Sequence, residues 1–595
     1  MAGAPPRFAV AALMALLWAA PLNALDSLDF QFASGTDESL QKSLRAASSL
    51  TAAQKEGRTS PADLYAAALS DYRSLTEALY ARGHYSVVVR IAIDGREAAE
   101  IPPLSPPSEI GTITIRIDPG APFRFGRAEI APLAEGTKLP EGFRPDAPAL
   151  AGTVTDAALA AVDGWRQKSH ARALISNDNI SANHSTQRLD AALTVAPGPA
   201  VTFGSLIVEP GSSVREKRIR AIAGLPEGAT FDPTQLAKAA DRLRRTGTFR
   251  SVAFSEAENL NPDNSLDITA SIIDEVPRRY GAGAELSTFE GLTLSGFWLH
   301  RNIFNRADRF RIEAEAAGLG GQTGGPDYSL TARFQRPAVY GPDTSFTAEI
   351  SLEHLDEPDY RSDSITLGLA ASRAFSEMLT GDLGIKLTAS EATDSFGTRD
   401  FRLLQFPMGL TRDTRDNLLN PSKGSYLKAA LTPFRGLAST ESGTRFILDA
   451  RTYLPAGDRL TFAMRGQMGA VWGAALSKIS PEFLFWSGGG GTVRGQPYQS
   501  LDVAVPGGTT GGRSFAALSF EARTVVTPTI GLVAFADGGY IASAPDFAGG
   551  AFHAGAGIGL RYDTPLGPLR FDVAAPVAGN TGDGMQLYIG IGQAF

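Results

Sequence analysis

Two periodicities divide the chain. In the first part apolar positions recur at helical spacing: Leu64, Ala68, Tyr72, Leu75 and Leu79 form one stripe. Ser60, Pro61 and Asp63 supply it with an N-cap, a first-turn proline and an acidic first turn, and Gly83 with a stop. Ser213 and Glu216 have capping-box spacing, and Asp232-Pro233 opens a helix ending near Gly247. Short strands follow the helices, at 85–93 in one place and 252–254 in another. From 277 to 595 helical spacing gives way to alternation with period two. In 552–562 the even positions are apolar and the odd ones are glycine, His553 or Arg561. In 569–573 one face is apolar and the other charged, and in 585–595 the odd face is apolar over most of its length. Turns rich in Gly and Pro, such as 564–568, separate these strands.

The helical part repeats. Ile117, Pro119, Gly120, Phe123, Phe125 and Gly126 have counterparts at Val195, Pro197, Gly198, Val201, Phe203 and Gly204, each 78 positions on. A further step reaches Ile273, followed by Pro277 and Gly281. A fixed period predicts serial domains, each ordered strand, helix, helix, strand, strand. At the N-terminus, residues 8–20 are apolar and lead to Leu22-Asn23-Ala24, which predicts a secretory signal cleaved near Ala24. The plainer alternative, a buried N-terminal helix, is opposed by Pro5, Pro6 and Pro21. No later stretch approaches the apolar length of a membrane-spanning helix, so the exported chain is either soluble or a β-barrel.

Alternation alone does not separate a soluble sandwich from a barrel. The export signal, the length without a domain break and the terminal aromatic strand favour a barrel, whose apolar face meets lipid and whose polar face lines a lumen. At about 20 residues per strand with its connection, the stretch 277–595 gives roughly 16 strands. Closure also removes the exposed edges of so long a sheet. A net charge of -8 argues against a chain built for nucleic acid. The absence of cysteine excludes disulfides, thiolate metal sites and a thiol nucleophile. The six histidines are scattered without metal-ligand spacing. Gly488–Gly491 lacks the Lys-Ser/Thr and helix of a phosphate loop, and no nucleophile elbow or triad is found, so neither cofactor nor enzyme activity is expected.

The module order, with its turns Gly83-His84-Tyr85 and Gly247-Thr248-Phe249, resembles the POTRA domain of outer-membrane assembly proteins. The middle module matches least, with Ser169-His170-Ala171 in place of the glycine turn. In the second half, Val493-Arg494-Gly495-Gln496-Pro497-Tyr498 after the glycine run resembles the Val-Arg-Gly-aromatic loop of the BamA/TamA superfamily. Asp537 stands in a Phe-x-Asp-x-Gly strand, and Glu521 faces away from the apolar side of its strand. The segment 415–424 resembles the family's Arg-Asp…Pro-x-x-Gly turn, His300–Phe304 an early barrel segment, and 557–572 the C-terminal strands.

The resemblance implies α+β periplasmic repeats followed by an all-β outer-membrane barrel of 16 antiparallel strands. Its boundaries would be a signal peptide 1–24, POTRA modules 26–122, 123–199 and 200–276, and a barrel 277–595. Three modules point to the TamA branch, which inserts or secretes autotransporters and other outer-membrane proteins with an inner-membrane-anchored TamB-like partner. It further implies a lumenal latch of Arg494, Gly495, Glu521 and Asp537, a loop tip of Val493, Gln496 and Tyr498, and a weak seam. Gly590, Gly592 and the terminal Phe595 would belong to that seam and its last strand. Gln496 departs from the family's aromatic residue, and Tyr498 is the candidate to supply the missing ring. Two rival classes are a transporter dedicated to one substrate, favoured by a plug helix before the modules, and a passive porin. The candidate helix at 38–50 fits the first module better than a plug.

Overall fold

The structure, a computed structural model, describes residues 25–287, 291–321, 324–438, 440–564, 567–582, 584–591 and 593. The expected signal segment, Gly592 and Phe595 lie outside the described residues.

Three small α/β sheets precede the barrel. In the first, Ser27–Phe32 runs parallel to Thr112–Asp118, which pairs on its other side with Val88–Ile93. Helices Glu38–Ala47, Ser49–Lys55 and Pro61–Ala81 supply Leu40, Leu44, Leu50, Leu64 and Leu75 to its core against Ile91 and Ile115. Ser60 caps the long helix as expected, its side chain accepting from the Asp63 amide at 3.2 Å. The 38–50 segment breaks at Ser48, whose hydroxyl donates to buried Asp71 at 2.6 Å. With its leucines in the module core, this segment is not a plug.

The second module departs from the expected order. Between Arg124–Ala131 and helix Ala151–Arg166 no helix forms; strands Leu174–Asn183 and Arg188–Ala196 follow. The intervening segment holds Pro132, Pro140, Pro145 and Pro148, each lacking the N–H a helix needs and clashing with the preceding turn. The third module has strand Thr202–Val208, helices Glu216–Ala223 and Pro233–Arg245, and strands Phe249–Glu256 and Ser265–Asp274. The expected capping box at Ser213 is absent, because Arg215 is the N-cap and makes no side-chain cap bond. Ser213 instead donates from its hydroxyl and amide to Asp274 at 2.6 and 2.7 Å, a charged acceptor that outcompetes the helix end. Asn302, in the turn after the second barrel strand, donates to the Ser213 hydroxyl at 2.9 Å and so joins module to barrel. Modules one and two form one compact unit, with short segments 228–233 and 262–265; the third module and barrel form the other.

The barrel is a closed antiparallel sheet of 16 strands. Its eighth strand is interrupted at Phe406-Pro407, and both parts, Gly397–Gln405 and Met408–Asp413, pair with the seventh (Leu379–Asp394) and the ninth (Gly424–Gly436). Proline cannot donate to the ladder, and the interruption absorbs the defect. The alternation has the outside-in sense expected of a membrane barrel. Leu383, Leu518 and Ile558 on the outer face are 60%, 71% and 69% exposed, whereas Glu521 and Asp572 on the inner face are fully covered.

Closure is uneven. The first strand, Arg278–Ser287, pairs along its whole length with the second, Gly291–His300. The sixteenth, Gln586–Ile591, pairs along its length with the fifteenth, Leu569–Ala578. Between first and sixteenth, among the described residues, only Leu286 opposite Ile589 and Ser287 opposite Tyr588 are paired. Among the described residues one ion pair spans this seam: Arg570 of the fifteenth strand reaches Glu285 of the first at 2.9 Å, passing over Gly590. A Cβ at Gly590 would lie 3.2 and 3.3 Å from the two charged groups, so the glycine gives them passage.

Candidate functional site

The loop between the eleventh strand (Leu460–Trp472) and the twelfth (Ser514–Val525) is long enough to fold inward, and its sequence gives it two anchors. The first is apolar. Ile479, Phe483, Leu484, Phe485 and Leu501 join Val471, Phe515 and Ile541 of the wall in one buried cluster, over which the Arg445 guanidinium lies 5.5 and 5.0 Å from the Phe483 and Phe485 rings. Trp486 stacks on Tyr360, centroids 5.2 Å apart, and its indole N–H donates to Asp359 at 2.8 Å.

The second anchor is charged and lies at the tip. Gly489 N–H donates to the Gln496 carbonyl at 2.9 Å, closing a tight turn that carries Val493, Arg494 and Gly495 at its apex. Gly495 has φ of +90°, and a Cβ there would sit 2.6 Å from the Ala575 carbonyl oxygen, so both conformation and space demand glycine. Arg494, 2% exposed, donates from Nε and Nη2 to Asp537 of the thirteenth strand (Ile530–Ala542) at 2.7 and 3.0 Å. Its Nη1 donates to Glu521 of the twelfth strand at 2.6 Å and to Asp572 of the fifteenth at 3.3 Å. Its backbone N–H adds a bond to Asp537 at 3.1 Å, and its guanidinium lies 3.6 Å from the centre of the Phe535 ring. The bidentate fork thus meets one carboxylate in plane while its remaining nitrogen bridges two more.

The carboxylates are not equally dependent on it. Glu521 also accepts from Arg523 at 2.7 Å, and Asp572 from Arg561 of the fourteenth strand (Ala551–Tyr562) at 2.5 Å. Asp537 has no other ion pair among the described residues. Removing the arginine would therefore strand Asp537 far more than its neighbours.

Gln496 resolves the departure noted in the sequence. It is fully buried, and its amide donates to the carbonyls of Ala554 and Ala578 at 2.7 and 3.0 Å while accepting from Thr581 at 2.8 Å. Thr581 also meets His553 Nδ1 at 2.8 Å, and His553 Nε2 meets Ser487 at 2.8 Å. A hydrogen-bonded amide thus fills the place expected for an aromatic ring. Tyr498 does not supply that ring; its hydroxyl donates to Glu357 at the end of the fifth strand (Thr344–Glu357), at 3.1 Å.

The structure brings Arg494, Gly495, Glu521 and Asp537 together, with Val493 buried beside them. Gly590 lies apart at the seam, linked to the tip through a residue the sequence reading passed over. Tyr588 of the sixteenth strand accepts from the Gly495 N–H at 3.2 Å, and its ring joins Val533, Phe535 and Ala574 in a small buried cluster. Asp572, also passed over, stands on the charged face already visible in 569–573, where only its partner was missing. Nothing local in the sequence marks Thr581 or His553 as support for the tip.

Residues 302–595 match the family model described as the Omp85 superfamily domain. Over 411 residues the chain is 24% identical to the outer membrane protein assembly factor BamA of Nitratidesulfovibrio vulgaris, covering 65% of this chain and 50% of that protein. The chain thus spans about half the length of that curated relative. Among solved structures it resembles BamA from Haemophilus ducreyi lacking POTRA domains 1–3, with a TM-score of 0.63 and 15% identity, over 79% of this chain and all of that one. CdiB from Acinetobacter baumannii matches at a TM-score of 0.50 and 11% identity, over 79% and 90%. These likenesses establish the fold.

Proposed function

We propose, from the match of residues 302–595 to the Omp85 superfamily domain, that the chain belongs to that superfamily and is a non-enzymatic outer-membrane assembly factor. It helps insert or secrete autotransporters and other outer-membrane proteins at the seam between its first and last barrel strands. The observation that carries this reading is the near-absence of pairing there. On the seam side, residues 278–285 pair with no strand among the described residues. An edge of unpaired N–H and C=O groups in a bilayer is costly, and an incoming client strand can satisfy it by antiparallel addition.

The loop tip supports the same reading. Arg494 and Gly495 hold on to the fifteenth and sixteenth strands through Asp572 and Tyr588, so the buried loop steadies the closing side of the barrel. Arg494, Gly495, Glu521 and Asp537 act in this proposal as a latch, with Val493 and Gln496 packing the tip. The modules, at 26–122, 123–199 and 200–276, extend into the periplasm. The edge strand Leu174–Asn183, exposed over most of its length, suits pairing with an extended client or partner. Three modules favour the TamA branch, in which a TamB-like protein anchored in the inner membrane is the partner.

The test exploits a chain with no cysteine of its own. Leu286 and Ile589 stand directly opposite each other, within reach of a disulfide when both are replaced by cysteine. Oxidation of L286C/I589C should block assembly of outer-membrane clients in cells or proteoliposomes, and reductant should restore it. Full activity of the cross-linked protein would refute the seam as the route.

A further inference from the structure

Away from the lumen, the periplasmic edge of the barrel carries a groove of unusual composition. Helix Pro233–Arg245 of the third module and the turn 375–378, between the sixth strand (Tyr360–Ala374) and the seventh, enclose a cavity of about 650 Å³. Its walls place Lys238, Arg242, Arg244 and Arg245 beside Phe375 and Met378.

Some of these cations are already neutralised. Asp343 takes Arg242 through two bonds of 2.9 and 2.7 Å, and Asp241 takes Arg244 at 2.7 Å. Others are not. Lys238 is exposed and has no ion pair among the described residues. Arg245 reaches Asp343 only at 3.4 Å, with its side chain 46% exposed. Arg373 is exposed on the outer wall next to the groove, its guanidinium 5.8 Å from the Phe375 ring. Glu377 is the remaining acid of the lining, so cations prevail.

The apolar side of the groove continues the lipid-facing band. Leu367 and Leu369 on the sixth strand and Leu383 and Ile385 on the seventh are all exposed outward. Phe375 and Met378 extend that band to the turn, 61% and 52% exposed. A single cavity therefore has hydrocarbon on the bilayer side and unneutralised cations on the aqueous side, at the level where headgroups lie. We infer that this groove binds an anionic phospholipid of the periplasmic leaflet, its headgroup phosphate against Lys238 and Arg245 and its acyl chains against Phe375 and Met378. The phospholipid tethers the third module's helix to the membrane plane.

The experiment uses the full-length protein in detergent, titrated with phosphatidylglycerol, phosphatidylcholine or inorganic phosphate and read by native mass spectrometry. Phosphatidylglycerol should bind more tightly than phosphatidylcholine, and less tightly as salt rises. K238Q/R245Q should weaken it about 25-fold, at about 5-fold per cation removed near a charged surface. F375S/M378S should weaken it too. Lys238→Glu, on the exposed face of the helix, gives the same reading without touching Asp343, and each variant must keep a heat-modifiable barrel. Equal binding of the two lipids, equal phosphatidylglycerol binding by wild type and both charge variants, or displacement by inorganic phosphate at equal concentration would each overturn the proposal.

Discussion

Replacing Arg494 by alanine removes one guanidinium from three covered carboxylates, and the geometry says where the cost falls. Glu521 keeps Arg523 at 2.7 Å and Asp572 keeps Arg561 at 2.5 Å, but Asp537 loses its whole partner. Breaking a buried pair on one side costs about 3–5 kcal/mol, mostly the penalty of the stranded charge. Loss of the contact with Phe535, centroid 3.6 Å away, adds up to about 2 kcal/mol in a desolvated site. Asp537→Asn in the R494A background removes the stranded charge, so the double variant should be no less stable than R494A alone. The coupling should be about 2–3 kcal/mol. Glu521→Asn or Glu521→Gln should instead add to the loss, because it takes away the carboxylate that Arg523 faces. Arg494→Lys should fall close to alanine, since an ammonium cannot fork onto Asp537 while bridging to Glu521 and Asp572. Urea unfolding of the folded barrel in lipid vesicles gives the energies, and limited proteolysis of 473–513 reports loop release. Additive losses for R494A and D537N, or strong coupling to Glu521 but not to Asp537, would refute this account.

Two further outcomes follow from the loop. Gln496→Phe, which installs the ring usual in the family, should destabilise loop docking by about 1 kcal/mol per bond lost, because the Ala554 and Ala578 carbonyls lose their donor; protease resistance of the loop equal to wild type would show that the tip tolerates either solution. Asp502, near Asp359, has its carboxyl pushed up to about 6 by partial burial and then by that neighbouring charge. A pKa raised in the docked state means that docking is strongest below the ordinary carboxylate range and weakens as pH rises through about 6. Loop 473–513 should be cut faster at neutral than at mildly acid pH, and Asp502→Asn should abolish the difference; persistence of the pH effect in that variant would assign it to another group.

The barrel was legible because its wall obeys one rule and other signals chose between its two meanings. Alternation at 552–562 and 569–573 separated an apolar face from a polar one, the export signal and the length without a domain break favoured a barrel over a sandwich, and the residues per strand set the number. The charged cluster was legible in part: Glu521 and Asp537 lie on strand faces turned from the apolar side, while Arg494 was marked only by the resemblance of its glycine-rich loop. What stayed hidden depended on distance in three dimensions. Asp572 and Tyr588 were readable as inward-facing, but nothing in one strand says which loop it will meet 78 or 93 residues away. Gln496 was hidden for a different reason, since its fitness rests on backbone carbonyls that carry no sequence signal. In the modules local rules failed where a stronger partner competed. Ser213 has cap spacing but chose the Asp274 carboxylate, and the prolines of 132–148 override the repeat.

The Arg570–Glu285 contact over Gly590 has a bearing on what happens after a seam has parted. The inward residues of the last strand are Gln586, Tyr588 and Gly590, and only the last leaves an open path between the two charges. A one-residue slip on reclosing would turn the apolar face of the strand into the lumen. A slip of two residues in the direction that brings up Tyr588 keeps the faces but sets an aromatic ring between guanidinium and carboxylate. The one-residue slip is thus opposed by solvation and this two-residue slip by bulk. A joint with so few backbone bonds among the described residues is thereby biased toward one alignment, in the manner of a keyed coupling.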